Sequence, residues 1–222
     1  MNLLDLLANY SEAPNGQIYV VTGFMRSFTS MMMRALVAGG MKAVYDTARD
    51  TWLEENAADL AGYHPNPNGL YEVNNEQRDN LFRRPRDFDG KLIKQLCVYG
   101  WIDLPFWEGR YKVLLMLRDP DEIRESAQRF TGESPAFKDD AGNPKLPFTN
   151  EVYRQIMIRA LRQLRGRRDV DFVAVKGTEV VKEPLAAFNR IQLAGWPIDA
   201  EKCAETIQPE LYRNRKQEVM AT

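Results

Sequence analysis

The sequence predicts one α/β domain over residues 1–222, with a parallel sheet of four or five strands and helices on both faces. Three observations carry this. A β-branched and aromatic run, Ile18 to Thr22, is followed by a polar turn and a helical stretch. A second apolar run, Val113 to Leu117, leads into Arg118-Asp119-Pro120 and another helix. A third strand, Val170 to Val175, precedes a helix opened by Pro184. Strands that alternate with helical segments form crossover units, and those build parallel sheets covered on both sides.

Residues 1–16 form a leader that ends in the Pro14-Asn15-Gly16 turn. Met1 to Tyr10 carries Asp5 and no basic lead, so it is expected to be a short packed helix and not a signal peptide. Ile18 to Thr22 is the first strand, and Gly23 breaks it. A Ser27/Thr29/Ser30 cluster follows, and a helix runs on to Gly39-Gly40. A strand, a tight polar turn and a helix N-terminus make an anion trap. Unpaired N–H groups point at the turn, and the helix dipole adds about half a positive charge. Arg26 and the hydroxyls of Ser27, Thr29 and Ser30 add donors. This predicts a phosphate-binding loop over Gly23, Arg26, Ser27, Phe28, Thr29 and Ser30.

Met41 to Tyr45 is the expected second strand and Asp46 to Leu60 a helix. Gly62 to Gly69 is a loop that holds His64, the only histidine of the chain. Arg78 to Asp89 is a charged helix and turn, expected to be a solvated face. Gly90 to Leu96 is a buried strand with Lys94 near its carboxyl end, where open α/β sheets bind ligands. In the Val113 to Leu117 unit, Asp119 is the expected N-cap and Pro120 the first helical residue. Ser126 then lies eight residues after Arg118, about two turns into the helix. Thr131 to Thr149 is expected to be a long loop of the kind that forms lids or binding loops, or else a disordered insertion. Asn150 to Arg168 is a basic amphipathic helix with Val152, Ile156, Leu161 and Leu164 on or near one face.

Bulk composition narrows the function. The formal net charge is −1, which argues against a general nucleic-acid binder. Two cysteines, Cys97 and Cys203, are too few for a disulfide framework, so a reducing cytoplasm is the expected setting. No apolar run approaches the ~20 residues of a membrane span.

Gly23-Phe-Met-Arg-Ser-Phe-Thr-Ser30 is close to the Gly-x-x-x-x-Gly-Lys-Ser/Thr loop of nucleoside triphosphatases, with Phe28 for the second Gly and Thr29 for the Lys. The cation sits three residues earlier, at Arg26. In this the loop resembles the 5′-phosphosulfate loop of sulfotransferases that use 3′-phosphoadenosine 5′-phosphosulfate (PAPS). The bacterial branch often reads Gly-x-x-Arg-Ser-Gly-Thr-Ser, so the departure is Phe28 for Gly. A left-handed backbone there costs on the order of 1 kcal/mol for a non-glycine residue, and a helical one costs little. Asn66-Pro67-Asn68-Gly69-Leu70-Tyr71-Glu72 is similar to the family's Asn-Pro-x-Gly-aromatic-aromatic-Glu segment. The strand, Arg118-Asp119-Pro120 and Ser126, about 90 residues after the first loop, resemble its 3′-phosphate motif. The resemblance runs from about Ile18 to Arg215, where Gln208-Pro-Glu-Leu-Tyr-Arg213 matches the family's tail.

The resemblance implies a P-loop nucleoside triphosphate hydrolase-like fold and transfer of a sulfuryl group from PAPS to a hydroxyl or amine, with 3′-phosphoadenosine 5′-phosphate (PAP) as product and no metal. It implies Glu72 as general base; from the residues alone, Glu72 equally caps the helix starting near Asn74 or pairs with a basic residue. His64 is the alternative base, against a plain solvated loop histidine. Lys94 faces the phosphosulfate or is a salt-bridged structural lysine. Arg118 and Ser126 grip the 3′-phosphate, and Arg26 with the loop donors stabilises the leaving charge. The acceptor is expected to be a small molecule or a carbohydrate. An ATP-dependent phosphotransferase and a non-catalytic nucleotide-binding relative are the two rivals. The residues alone reach an anionic nucleotide held at two phosphate sites.

Overall fold

The computed structural model describes residues 16–61, 69–97, 100–133 and 149–209. Five parallel strands form one sheet: β1 (Gln17–Gly23), β2 (Lys42–Ala43), β3 (Lys91–Leu96), β4 (Arg110–Leu117) and β5 (Val170–Lys176). Their order is β2-β3-β1-β4-β5, so the loop-bearing strand lies at the centre. Among the described residues, the helices are α1 (Thr29–Ala38), α2 (Thr47–Ala61), α3 (Asn75–Arg83), α4 (Pro120–Glu133), α5 (Asn150–Arg165), α6 (Gly177–Lys182), α7 (Pro184–Leu193) and α8 (Ala200–Glu205). A 3₁₀ turn spans Pro85–Phe88.

Alternation along the strands fills two cores. Ile18 and Val20 of β1, Ile93 of β3 and Val113 and Leu115 of β4 face one side. There they meet Leu81 of α3, Ile123 of α4 and Tyr153, Met157, Ala160 and Leu164 of α5. Tyr19, Val21, Leu92, Leu114 and Met116 face the other side. There they meet Met32, Met33 and Leu36 of α1, Phe188 and Ile191 of α7 and Cys203 of α8. Each fully buried aliphatic side chain contributes about 1.5–3 kcal/mol. The expected α/β sheet with helices on both faces is therefore present.

Several boundaries differ from expectation. The second strand shrinks to Lys42–Ala43, where β3 pairs with it and, among the described residues, no other strand does. α4 continues through Gly132 to Glu133, past the residue where the loop was expected to begin. On α5 the buried stripe is Tyr153, Met157, Ala160 and Leu164, while Val152 is exposed. The apolar stripe includes a tyrosine whose hydroxyl leaves the core to donate to the Arg118 carbonyl at 3.0 Å. The turn after β5 is helical, as α6. His64 and Asn66 to Asn68, with residues 1–15, 134–148 and 210–222, lie outside the described residues.

Because every strand is parallel, the carboxyl ends share one edge. In the registers, Gly23 pairs with Leu96 on one side and with Met116 on the other. Leu117 pairs with Lys176. The loop after β1, Arg118 after β4 and Gly177 after β5 thus meet at this edge. Among the described residues no helix is long and apolar enough to cross a membrane.

Candidate anion site at the carboxyl edge

The loop after β1 closes on itself before it meets anything else. A Cβ at Gly23 would lie 2.5 Å from the Ser27 hydroxyl and 2.8 Å from the Met116 carbonyl, so only glycine fits there. Ser27 turns the chain. Its N–H and its hydroxyl both donate to the Phe24 carbonyl, at 3.2 and 2.6 Å. The Ser27 hydroxyl is therefore buried inside the turn, and Thr29 is buried at the helix start. Arg26 and Phe28 both take left-handed backbone, at φ 65° and 68°. Phe28 is the N-cap of α1 and offers no side-chain cap. The strained reading of Phe28 is thus the one realised. A first helical turn leaves its N–H groups without intrahelical acceptors, which keeps α1 suited to an anion.

On the β4 side, the two predicted phosphate motifs are bonded to each other. Arg118 Nη1 donates to the Arg26 carbonyl at 2.8 Å. Arg26 Nε donates to the Ser126 hydroxyl at 3.0 Å. Arg118 Nε pairs with Glu122 Oε2 at 3.1 Å, both side chains only 6% exposed. The Arg118 guanidinium also stacks on the Phe28 ring, 4.3 Å from its centre. Asp119 opens α4 as expected, its carboxylate accepting the Asp121 N–H at 2.8 Å.

On the β3 side lies a second charged group. Buried Lys94 donates to the Ser30 hydroxyl at 3.0 Å and to the Leu70 carbonyl at 2.5 Å. Its ammonium stands 3.4 Å from Glu72 Oε1, and Arg49 of α2 holds Glu72 Oε2 at 3.1 Å. Burial lowers the Lys94 pKa below its ordinary value; the Glu72 charge and hydrogen bond oppose this. Glu72 is 31% exposed and so stands at the rim of the group. The helix after it is capped by Asn74, which accepts the Gln77 N–H at 2.9 Å. Glu72 therefore pairs with cations and caps nothing. The segment before it is clamped by buried Asp50, which accepts the Tyr71 N–H at 2.8 Å.

Gly23, Arg26, Phe28, Thr29, Ser30, Lys94, Glu72, Arg118 and Ser126 thus share one edge of the sheet. His64 is not among the described residues. Among those residues no group of three or more His, Cys, Asp or Glu side chains could hold a metal ion. Cys97, at the end of β3, is buried, and burial pushes its thiol up to about 11, so it is not a nucleophile at neutral pH.

No family model matches the chain, and no curated protein matches it. Among solved structures the chain is similar to sulfotransferase STF9 from Mycobacterium avium, at 14% identity and a TM-score of 0.49, covering 96% of this chain and 72% of that one. It is also similar to the sulfotransferase domain of the Synechococcus PCC 7002 olefin synthase, at 12% identity and a TM-score of 0.41, covering 93% and 86%. A sugar kinase from Janibacter sp. HTCC2649 matches at 12% identity and a TM-score of 0.35, covering 88% and 98%. At 12–14% identity none of the three assigns a role to a residue here.

Four residues of the site were not singled out from the sequence. Glu122 was the most accessible: it lies four residues after Arg118, at the start of a helix, where an ion pair is expected. Gly177, directly after β5, was open to the same strand-end logic that selected Lys94. Arg49 and Asp50 gave no signal, because they reach Glu72 and Tyr71 across 23 and 21 residues of chain.

Proposed function

We propose that the chain is a sulfotransferase that moves a sulfuryl group from PAPS to the hydroxyl or amine of a small-molecule or carbohydrate acceptor, releasing PAP. One observation carries this: the loop after β1 and the Arg118–Ser126 unit are hydrogen-bonded to each other through Arg26, at 2.8 and 3.0 Å. A nucleotide with phosphates at both its 5′ and 3′ positions needs two anion grips fixed relative to each other, and this linkage supports such a reading. The donor set fits such a ligand: two guanidiniums, an ammonium, hydroxyls and a helix N-terminus.

PAPS, when bound, supplies an activated sulfuryl group whose leaving group is the 5′-phosphate of PAP. Arg118 and Ser126 hold the 3′-phosphate and set the register of the donor, which is positioning. Arg26, Lys94, Ser30 and the first turn of α1 offer donors to charge developing on the leaving oxygen. Glu72 takes the proton of the acceptor, and Arg49 and Lys94 fix the direction of its carboxylate.

Thermal unfolding with PAP, with AMP, and with ATP plus Mg²⁺ tests this. A ligand at 100 times its dissociation constant stabilises by ~2.7 kcal/mol. The expected result is a rise in melting temperature with PAP and little with AMP. A rise only with ATP and Mg²⁺ would favour a phosphotransferase, and no rise with PAP removes the proposal.

A further inference from the structure

Phe28 is the residue that breaks the loop's pattern, and its side chain has a definite place. Its backbone is left-handed, at φ 68°, where a glycine would sit without strain. Strain of this kind persists where the surroundings hold it, and it clusters at functional sites. Here the surroundings are specific. The ring stacks under the Arg118 guanidinium at 4.3 Å. The same ring packs on the backbone of Gly177, at the end of β5, where any Cβ would overlap it. Glycine at 177 makes room for phenylalanine at 28.

Among the contacts of Arg118, Nε is bonded to Glu122 and Nη1 to the Arg26 carbonyl. The Phe28 ring lies against the face of the guanidinium, 4.3 Å from its central carbon. An arginine reads a phosphate through a planar fork of N–H groups, so the tilt of that plane decides which oxygens it can reach.

We propose that Phe28 is a specificity-determining positioning residue: its ring sets the guanidinium plane of Arg118 and thereby the preference for a nucleotide carrying a 3′-phosphate. This rests on the reading of the edge as a PAPS site. Phe28 touches the 3′-phosphate only through Arg118. A ring that merely filled space would alter stability and leave that preference unchanged.

The test compares PAP with AMP by calorimetry, for the wild type and for Phe28→Leu, Phe28→Gly and Phe28→Tyr. The wild type is expected to prefer PAP. Phe28→Leu and Phe28→Gly should lower the PAP-over-AMP ratio about tenfold, the scale of a partly desolvated cation–π contact. Phe28→Tyr should keep the wild-type ratio. Gly177→Ala should act like Phe28→Leu, because its Cβ displaces the ring without changing Phe28. An unchanged ratio in Phe28→Leu and Phe28→Gly overturns the inference while leaving the nucleotide site standing. A wild type that binds no PAP overturns the site reading itself. If the variants do not fold, the Arg118 Nε–H signal of the wild type decides. A ring-current shift that persists when PAP binds supports the proposal; one that PAP abolishes overturns it.

Discussion

The two flanks of the loop after β1 are built from similar charges and assembled for different work. The β4 flank holds Arg118 and Glu122 face to face, both almost fully buried, with a ring beneath and a backbone carbonyl at the far edge. Its cations are guanidiniums, which present a planar fork of donors. The β3 flank holds an ammonium whose pKa burial has lowered, beside a carboxylate at the rim. A fixed charge in a rigid frame suits binding. A carboxylate with access to solvent beside a buried ammonium suits proton transfer. In the proposed function the loop joins a grip to a chemical centre, with Ser30 and Ser126 as the hydroxyl on each side.

The sharpest way to break this contrast is to remove one member of the buried pair. Arg118→Ala takes the guanidinium away from the buried Glu122 carboxylate, which should cost about 3–5 kcal/mol of stability. Chemical denaturation measures it. Arg118→Met with Glu122→Leu should recover most of the loss, because replacing a whole buried pair is often neutral. A double variant as unstable as the single one would mean that Arg118 is held mainly by Arg26 and Phe28. Next in size, Glu72→Gln should lower turnover about 10²-fold or more and leave PAP binding within about twofold, measured by sulfate transfer to an acceptor and by calorimetry. Loss of PAP binding in that variant would move Glu72 from the chemistry to the grip. Arg49→Ala should cost about 1 kcal/mol or less, since that pair sits at the rim with 35% and 31% of its side chains exposed. A larger loss would make the β3 flank as rigid as the β4 flank.

The legibility of the two flanks differs for a physical reason. On the β4 side nearly everything follows from local spacing. The strand ends, Arg118 leaves it, Asp119 caps the helix, and Ser126 faces back two turns later. Periodicity along one strand and one helix was enough to place these residues. On the β3 side the contacts cross loops. Arg49 and Asp50 meet Glu72 and Tyr71 only once α2 has folded over the segment before α3, and no local period encodes that. Tyr153 falls between the two cases: the helical period put α5 against the sheet, but its buried stripe contains a hydroxyl that bonds the Arg118 carbonyl, which an apolar count passes over. Phe28 is visible as a departure from pattern, yet the place of its ring depends on Gly177, which opens α6 after β5.

The smallest expected effect is also the one that separates an ammonium from a guanidinium. Burial lowers the Lys94 pKa from its ordinary 10.5 in the folded chain, against the pull of Glu72. Between that lowered value and 10.5 the unfolded chain holds a proton that the folded one has shed, so stability rises with pH across this window. Below the window the folded chain carries the whole cost of charging a buried amine; above it the cost is gone. Lys94→Met removes the group and its titration. The difference in melting temperature, wild type minus Lys94→Met, should therefore grow as pH climbs toward 10.5. Tyrosines and cysteines titrate nearby, but they do so in both proteins and cancel in the difference. The lost bonds to Ser30 and the Leu70 carbonyl add a constant offset and no slope. A flat difference would mean that Glu72 and these two oxygens hold Lys94 fully charged, and the β3 flank would then be a second fixed-charge grip of the kind that Arg118 makes.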